Sequence, residues 1–426
     1  MGVTASMKIL REEADVLVIG GGTAGVIAAI QAARLGARTV VLEMTGQLGG
    51  TMTNGGVSAP AHFFNRGRQV IAGIGWELVT KTKALDGTPL PDFNNPPPNR
   101  PSHHVSVNPY LYACLAEESC LEAGVTLHYH EVVTTAEARG DRWLVESVGK
   151  GVRREVLARE VIDCSGDADV VGLLGFERVK GEVRQPGTLE FRLEGYDYKA
   201  LDADLLQARY EEALRDGTLI RGDFCYARRP FIDYLRAGGA NLQHLFGADS
   251  TTAETQSEAN IAGRQGLLRM LRFLKTLPGC EKVRIARMYP MAAIRETYRI
   301  VGETTITRED YLSGRRFDDA VAYTFYFIDV HTEEGTDHEF LEEGVVPTLP
   351  LGALVPKGSQ RLLVAGRTVS SDRRANSALR VEASCMAMGQ AAGAAAALGV
   401  RQGVPSRDVP LDLLRDTLRA HGALVP

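Results

Sequence analysis

Asp15-Val-Leu-Val-Ile-Gly-Gly-Gly-Thr-Ala-Gly25 is an apolar strand that runs straight into a glycine turn and the start of a helix. Gly20, Gly22 and Gly25 give the spacing G-x-G-x-x-G, and each has a mechanical task. Gly20 allows the tight turn, Gly22 lets backbone approach a pyrophosphate, and Gly25 lets the helix pack closely on the strand. Thr23 and Ala24 open the helix, whose free N–H groups face the phosphates. The next strand, Thr39-Val-Val-Leu-Glu43, ends in an acid placed to accept hydrogen bonds from a ribose, with Met44 beside it. Strand, turn, Ala-rich helix, second strand and terminal acid in this order predict a dinucleotide site.

The second glycine loop, Met44-Thr-Gly-Gln-Leu-Gly-Gly-Thr-Met-Thr53, narrows the choice of dinucleotide. A nicotinamide dehydrogenase has no evident need for it. The isoalloxazine-ribityl half of a flavin does, because it must pass backbone without side-chain clashes, here at Gly49, Gly50, Thr51 and Met52. Further along, residues 125–160 read as a β-meander and lead into Val161-Ile-Asp-Cys-Ser-Gly-Asp167. Arg361-Leu-Leu-Val-Ala-Gly-Arg367 is another apolar strand, followed by a small-residue helix from about Glu382 to Ala397.

Taken together these stretches resemble the FAD-dependent oxidoreductases of the glutathione-reductase-like superfamily, in the single-fingerprint family distantly related to the flavoprotein component of heterodisulfide reductase. The resemblance continues through Ile294-Arg-Glu-Thr-Tyr-Arg-Ile300, Phe327-Ile-Asp-Val-His331, Leu354-Val-Pro-Lys-Gly358 and Cys385-Met-Ala-Met-Gly-Gln-Ala-Ala-Gly393. It implies FAD as cofactor and places Cys164, Ser165 and Gly166 on the adenosine side, with Val133 on the meander. Gly366, Arg367, Ala383 and Met386 are then expected along the flavin. Thr297-Tyr298 and Asp372-Arg-Arg-Ala-Asn376 depart from the family pattern at places where substrate contact is expected.

Composition sets the outer bounds. The chain has 426 residues, 44% of them hydrophobic, enough for a large core and more than one domain. A net charge of −5 provides no basic surface for nucleic acid. Apolar runs are strand-length or Ala/Gly-rich, so no membrane span is expected. Met1-Gly-Val-Thr-Ala-Ser-Met-Lys carries no signal h-region and matches myristoylation poorly, and the reading is cytoplasmic. None of Cys114, Cys120, Cys164, Cys225, Cys280 and Cys385 forms a C-x-x-C pair. A redox dithiol and iron–sulfur ligation are therefore not expected, and most of these cysteines read as small core residues. The histidines show no metal spacing, so no metal is expected. The anticipated partner is a small-molecule substrate, with neither nucleic acid nor membrane, and a homo-oligomer stays open.

The expected fold is α/β: a Rossmann-like FAD-binding domain, parallel sheet plus meander, with an inserted α+β substrate domain. The FAD domain is assigned residues 1–180 and 346–426, with a Gly/Pro/Asn-rich excursion at 54–105 lying on the surface or as a cap. The substrate domain is assigned 181–345. Asn108–Ala123 reads as an amphipathic helix entered through Asn108-Pro109. Strands at Thr126–Tyr129, Val132–Arg139, Trp143–Val148 and Glu155–Val161 read as one antiparallel layer. Helices are expected over about 199–216 and 251–276, and long strands at Lys282–Met288, Ala293–Ile300 and Val321–His331.

Candidate chemistry lies on those last strands. Strand parity puts Arg295, Thr297 and Arg299 on one face, able to clamp an oxyanion or steady a reduced flavin. Arg295 with Glu296 as partner is the functional reading; the alternative is ion pairs at a domain interface. Phe325, Phe327, Asp329 and His331 share a face of the next strand, the aromatics suiting a core. Asp329 and His331 read either as a proton-handling pair, the carboxylate raising the imidazole's basicity, or as a polar strand end. Arg374, Asn376 and Arg380 fall on a loop expected to pass the flavin ring, and Arg380 joins Arg295, Asp329 and His331 as a catalytic candidate. Glu382 either caps the last helix or points away. No second G-x-G-x-x-G follows a strand, so a separate nicotinamide domain is not expected. The overall reading is hydride transfer between a small organic substrate, hydroxylated or glycosidic, and flavin N5, with electrons leaving to oxygen or a carrier. The alternative is a flavin-binding component of a larger complex, serving electron transfer or as a scaffold.

Overall fold

The computed structural model describes residues 7–98, 100–224 and 230–426. Met1 to Ser6, Asn99 of the proline-rich stretch, and Cys225 lie outside the described residues. Strand β1 (Lys8–Ile19), helix α1 (Thr23–Arg34) and strand β2 (Thr39–Glu43) form the expected unit, β1 and β2 pairing in parallel from Val16↔Thr39 to Ile19↔Leu42. Every residue of α1 from Ala24 to Ala32 is buried, which its small and aliphatic side chains permit.

Residues 54–105 are not a surface excursion. They contain helix α2 (Ile74–Leu85), and Phe63, Ile71, Ile74, Leu78 and Val79 join the main apolar core. Gly73 stands at the N-cap of α2 without a side-chain cap, so the sequence carried no start signal there. Helix α3 (Pro109–Glu122) begins as expected: the Asn108 side chain accepts from the Tyr110 and Leu111 N–H groups, and Pro109 takes the first helical position.

The meander is smaller than expected. Strand β3 (Thr126–Tyr129) pairs in parallel with β2 and extends the central sheet. Only β4 (Val132–Arg139), β5 (Arg142–Gly149) and β6 (Val152–Asp163) run antiparallel. Strand β6 also lies parallel to β1 along its whole length, from Lys8↔Val152 to Ile19↔Asp163. The resulting order is β3-β2-β1-β6-β5-β4, so β6 belongs to both the parallel and the antiparallel part.

A smaller sheet contains β7 (Phe191–Glu194), and α4 (Ala203–Arg215) and α5 (Ala253–Leu274) flank it. Thr252 caps α5 in a capping box with Thr255. Strand β8 (Arg284–Met288) pairs antiparallel with β7. The expected long strands are shorter: β9 covers only Tyr298–Ile300, and β10 (Ala320–Tyr323) is separated from β11 (Ile328–Thr332). Strand β11 hairpins with β12 (Gly335–Glu339). The chain re-enters the main sheet as β13 (Leu362–Val364), parallel to β6. Helices α6 (Arg373–Leu379) and α7 (Glu382–Gln402) follow, where a loop was expected before the last helix.

Four apolar clusters organise the described elements. The first draws on residues 16–164, 306–355 and 363–418, and a second is made by residues between Phe191 and Val283. A third lies on the main sheet and includes Leu17, Val161 and Val364, and a small fourth joins Leu189, Ala259 and Ile294. Helix α7, the Ala/Gly-rich run, is long and apolar enough to cross a membrane by length and composition only. Because 89% of that window is buried inside the fold, it serves here as a core helix.

Gly389 and Gly393 let α7 touch α1. A Cβ on Gly389 would stand 2.2 Å from the Ala24 carbonyl oxygen, and one on Gly393 2.3 Å from that of Ala28. Backbone cannot yield as a side-chain tip can, so Gly389→Val must push the helices apart. Overpacking of this kind typically costs about 1–3 kcal/mol, more when backbone is the obstacle. A clear drop in the thermal midpoint is the expected result; an unchanged midpoint would show that the helix pair tolerates separation.

Candidate functional site

The glycine turn does what its spacing requires. Gly20 has φ +91°, and a Cβ there would lie 2.5 Å from the Cys164 carbonyl oxygen, so only glycine serves. A Cβ on Gly25 would sit 1.9 Å from the Gly20 carbonyl oxygen, which is the close helix–strand contact expected. Gly22 differs: its nearest neighbour to a Cβ is Gly50 Cα, at 3.9 Å. Its bareness therefore answers no protein neighbour and leaves a cradle at the N-terminus of α1. Gly50 closes the other side, where a Cβ would come within 2.9 Å of Gly22 Cα, and Gly22 and Gly49 form a parallel bridge. Thr23 Oγ1 donates to the Gly49 carbonyl at 3.4 Å. Gly49-Gly50 thus packs on the first turn, with Thr51 and Met52 continuing it as a short 3-10 turn in which Met52 is fully buried.

Glu43 is buried and already engaged. One carboxylate oxygen accepts the Gly21 N–H at 2.7 Å; the other accepts the Thr45 N–H at 2.7 Å and its hydroxyl at 2.6 Å. It fixes the turn to the end of β2, and a ribose would use its remaining lone pairs. Met44 beside it is exposed. Val133 lies on β4 opposite Ser147 and packs on the sheet's own apolar cluster. Cys164 bonds through its N–H to the Ile19 carbonyl at 2.8 Å. Ser165 donates to buried Asp163 at 2.6 Å.

Arg367 is a cross-link. It donates to the Gly166 carbonyl at 2.6 Å, the Ile294 carbonyl at 2.9 Å, Asp167 at 2.9 Å and Ser250 at 3.2 Å. Gly366 beside it carries φ +106° and faces Ala24. In α7 the hydrogen bonds begin with Cys385 N–H to the Val381 carbonyl, and the N-cap Val381 brings no side-chain acceptor. Ala383 therefore lies among the open N–H groups of the first turn. Met386 lies beyond that turn, and its side chain packs against Gly75.

Several expected contacts fail. Thr297 is bonded to Asp167 at 2.6 Å, and Tyr298 lies under Arg178, 3.9 Å from its ring centroid, so neither is offered to a substrate. Arg374 pairs with Asp337 and Glu339, and Asn376 donates to the Arg367 carbonyl. Glu296 engages Arg299 at 3.1 Å and Arg373 at 3.2 Å, whereas Arg295 donates to the Pro186 carbonyl at 2.7 Å. Residues 294–297 are not strand, so the parity that put Arg295, Thr297 and Arg299 on one face does not apply there.

Asp329 and His331 do meet, His331 Nε2 lying 3.2 Å from an Asp329 carboxylate oxygen. Two histidines missed in the sequence complete the cluster. His338 Nε2 is 2.9 Å from the other Asp329 oxygen, and His244 Nε2 is 3.0 Å from His331 Nδ1. Burial alone would raise the Asp329 pKa, yet the bonds from His331 and His338 hold it well below the usual carboxylate range. The expected rise in His331 basicity is reversed: burial first, then the charge of Arg295, lowers it to about 4 against the Asp329 bond. A neutral His331 must donate from Nε2 to the carboxylate, which makes Nδ1 an acceptor for His244. Both ring nitrogens are thus occupied.

His62 is the contrast. It is fully buried, its ring lies 5.0 Å from those of His104 and Tyr326, and neither of its nitrogens has a protein partner. Burial holds it neutral, well below the usual range, and lowers His104 to about 4. Arg380 donates to Gln185 Oε1 at 3.0 Å and, more weakly, to the Asp329 carbonyl at 3.4 Å. Its Nε and Gln185 Nε2 are buried without partners. The cradle at Gly22, the open first turn of α7 and these unmatched polar atoms fit a flavin dinucleotide and a polar substrate. Among the described residues, no group of three His, Cys, Asp or Glu could hold a metal ion.

Leghemoglobin reductase of Glycine max is 40% identical over 80 residues, 17% of this chain and 15% of that protein. Mitochondrial dihydrolipoyl dehydrogenase of Caenorhabditis elegans is 53% identical over 45 residues, 11% of this chain and 9% of that protein. The chain thus matches less than a fifth of the length of these curated relatives. Among solved structures, a geranylgeranyl bacteriochlorophyll reductase-like protein from Thermoplasma acidophilum superposes with TM-score 0.45 at 12% identity, covering 96% of this chain and 83% of that one. A p-nitrophenol 4-monooxygenase from Pseudomonas putida gives 0.43 at 13% identity, covering 98% and 89%. The sequence profile of the FAD-dependent oxidoreductases matches residues 15–418, from the first glycine strand to beyond α7. The chain belongs to the FAD-dependent oxidoreductase family, and FAD is its cofactor.

Proposed function

We propose that the protein moves a hydride between a small organic substrate, hydroxylated or glycosidic, and N5 of the flavin, with the electrons passing to oxygen or a carrier. The observation that carries this reading is His62, a buried neutral imidazole with neither nitrogen bonded to protein, packed against Tyr326 and Phe327 on the segment that leads into Asp329. Bound FAD supplies the hydride acceptor. The chain supplies the rest. Gly20, Gly22, Thr23, Gly25, Gly49 and Gly50 hold the pyrophosphate region, Glu43 the ribose, and the first turn of α7 offers N–H groups to negative charge. Oxidation of a C–OH requires a base within hydrogen-bond reach of its proton. His62 has a lone pair for it; His331 does not, and acts as a positioning residue between Asp329 and His244.

His331→Gln should therefore keep FAD and slow flavin reduction by less than the roughly 10²-fold at which loss of a direct base begins. The pH profile provides the sharper check. His331 is lowered to about 4 and His62 is also lowered, so both are already bases at neutral pH. Activity that needs them deprotonated is present above that value and lost as pH falls toward about 4. A wild-type profile breaking instead near neutrality, and flattened by His331→Gln, would restore His331 as the direct base.

We further place the chain as a single-fingerprint member of the glutathione-reductase-like superfamily, distantly related to the flavoprotein component of heterodisulfide reductase. It divides into an FAD domain and an inserted substrate domain within 181–345. The separate core between Phe191 and Val283 supports an insertion, while residues 306–355 pack into the first core. The free thiols Cys114, Cys120, Cys164, Cys280 and Cys385 support a reducing, cytoplasmic setting.

A further inference from the structure

We infer that the substrate carries a carboxylate, or an oxyanion of like shape, gripped by Arg380 with Gln185 as its neutral companion. This rests on the hydride-transfer reading above and names the substrate class for the same site. Arg380 donates only to neutral oxygens, Gln185 Oε1 and the Asp329 carbonyl, and its buried Nε has no partner. Two acids lie within reach of its charge: Asp329, which is bonded by His331 and His338, and Glu382, and the Arg380 guanidinium hydrogen-bonds to neither carboxylate.

Gln185 is fixed as a donor. Its N–H donates to Glu296 at 3.2 Å, and its Oε1 accepts from the His331 N–H at 3.2 Å as well as from Arg380. That leaves Nε2, buried and unmatched. Pro186, the next residue, accepts from Arg295, so one dipeptide draws two guanidiniums to the same place. Both unmatched atoms are donors, so the missing partner is an acceptor. With a guanidinium beside it that hydrogen-bonds to no carboxylate, a negatively charged acceptor is favoured over a neutral one, because it makes the stronger charge-assisted bond. A buried donor left unmet is costly, so a ligand that supplies the acceptor gains affinity from both atoms.

The test uses the FAD-loaded protein under anaerobic conditions. Glycolate, lactate and malate are titrated against their neutral counterparts ethylene glycol, 1,2-propanediol and 1,2,4-butanetriol. Perturbation of the flavin absorbance gives Kd, and bleaching gives turnover. The expected result is saturable perturbation by one or more carboxylates and not by its neutral counterpart. Arg380→Gln should retain FAD and weaken that binding by roughly tenfold to a hundredfold, the range of one lost charge-assisted bond. Gln185→Leu should weaken it by a smaller factor, and it carries the test if Arg380→Gln sheds FAD. Equal binding of acid and neutral partner, no binding by either, or carboxylate binding unchanged in both variants overturns the inference. Bleaching by neutral diols alone would leave hydride transfer standing and remove the carboxylate. Arg380-dependent carboxylate binding without bleaching by any compound would do the reverse.

Discussion

Gly22→Val protein is expected to purify without flavin and to stay colourless after incubation with excess FAD. The reason is positional. A Cβ on Gly22 meets only Gly50 Cα, at 3.9 Å, so a side chain there starts without a clash and projects into the pyrophosphate cradle. Folding should survive, which distinguishes this site from Gly20 and Gly25, where a Cβ would strike backbone carbonyls at 2.5 and 1.9 Å. The check is paired: a thermal midpoint close to that of the wild-type apoprotein, together with lost FAD binding by absorbance. Retained FAD would show that the phosphates do not pass over Gly22.

His62→Phe should give a protein more stable than wild type and almost inactive. A buried imidazole with two unmatched nitrogens carries a desolvation cost that an apolar ring of similar shape avoids, and a buried unmet polar group costs about 1–3 kcal/mol. The neighbours His104, Phe325 and Tyr326 accept an aromatic ring at that place. Loss of a general base typically lowers turnover by about 10²–10⁴-fold. FAD retention should be unchanged. A stabilised variant with normal flavin reduction would reduce His62 to a packing residue and return attention to the exposed His338.

The cofactor half was legible because each signal is local. Three glycines, a helix start and an acid lie within thirty residues of chain, so their spacing alone announces the turn, even though Gly20 and Gly22 face Cys164 and Gly50 from outside the unit. The Asp329–His331 contact was legible for the same reason, two positions apart on a strand. His244, His338 and Gln185 were not, because they reach the cluster from distant elements and no spacing announces them. Gln185 stands 146 residues from His331, its bonding partner. His62 was readable only as a fallback base in the glycine-rich stretch, along with Tyr298, because nothing in its spacing announces the rings of His104 and Tyr326 around it. Helix α2 was hidden by a glycine N-cap in a run that composition assigned to loop. The shared face expected for Arg295, Thr297 and Arg299 came from extending strand parity past Tyr298, where the ladder stops, while the Arg295–Glu296 pairing rested on the resemblance alone. Where backbone leaves the sheet to build a site, periodicity no longer says which way a side chain points.

Whether this flavoprotein performs redox chemistry on a small molecule by itself is tested most directly by one anaerobic experiment. The purified FAD-bound protein is mixed with a panel of hydroxylated acids, alcohols and sugars while the flavin's visible band is followed. Bleaching by at least one carboxylated alcohol is expected, at a rate lowered in His62→Phe. A flavin that stays oxidised with every compound, yet is reduced by a protein electron donor, would contradict that claim and identify the chain as an electron-transfer component of a larger complex.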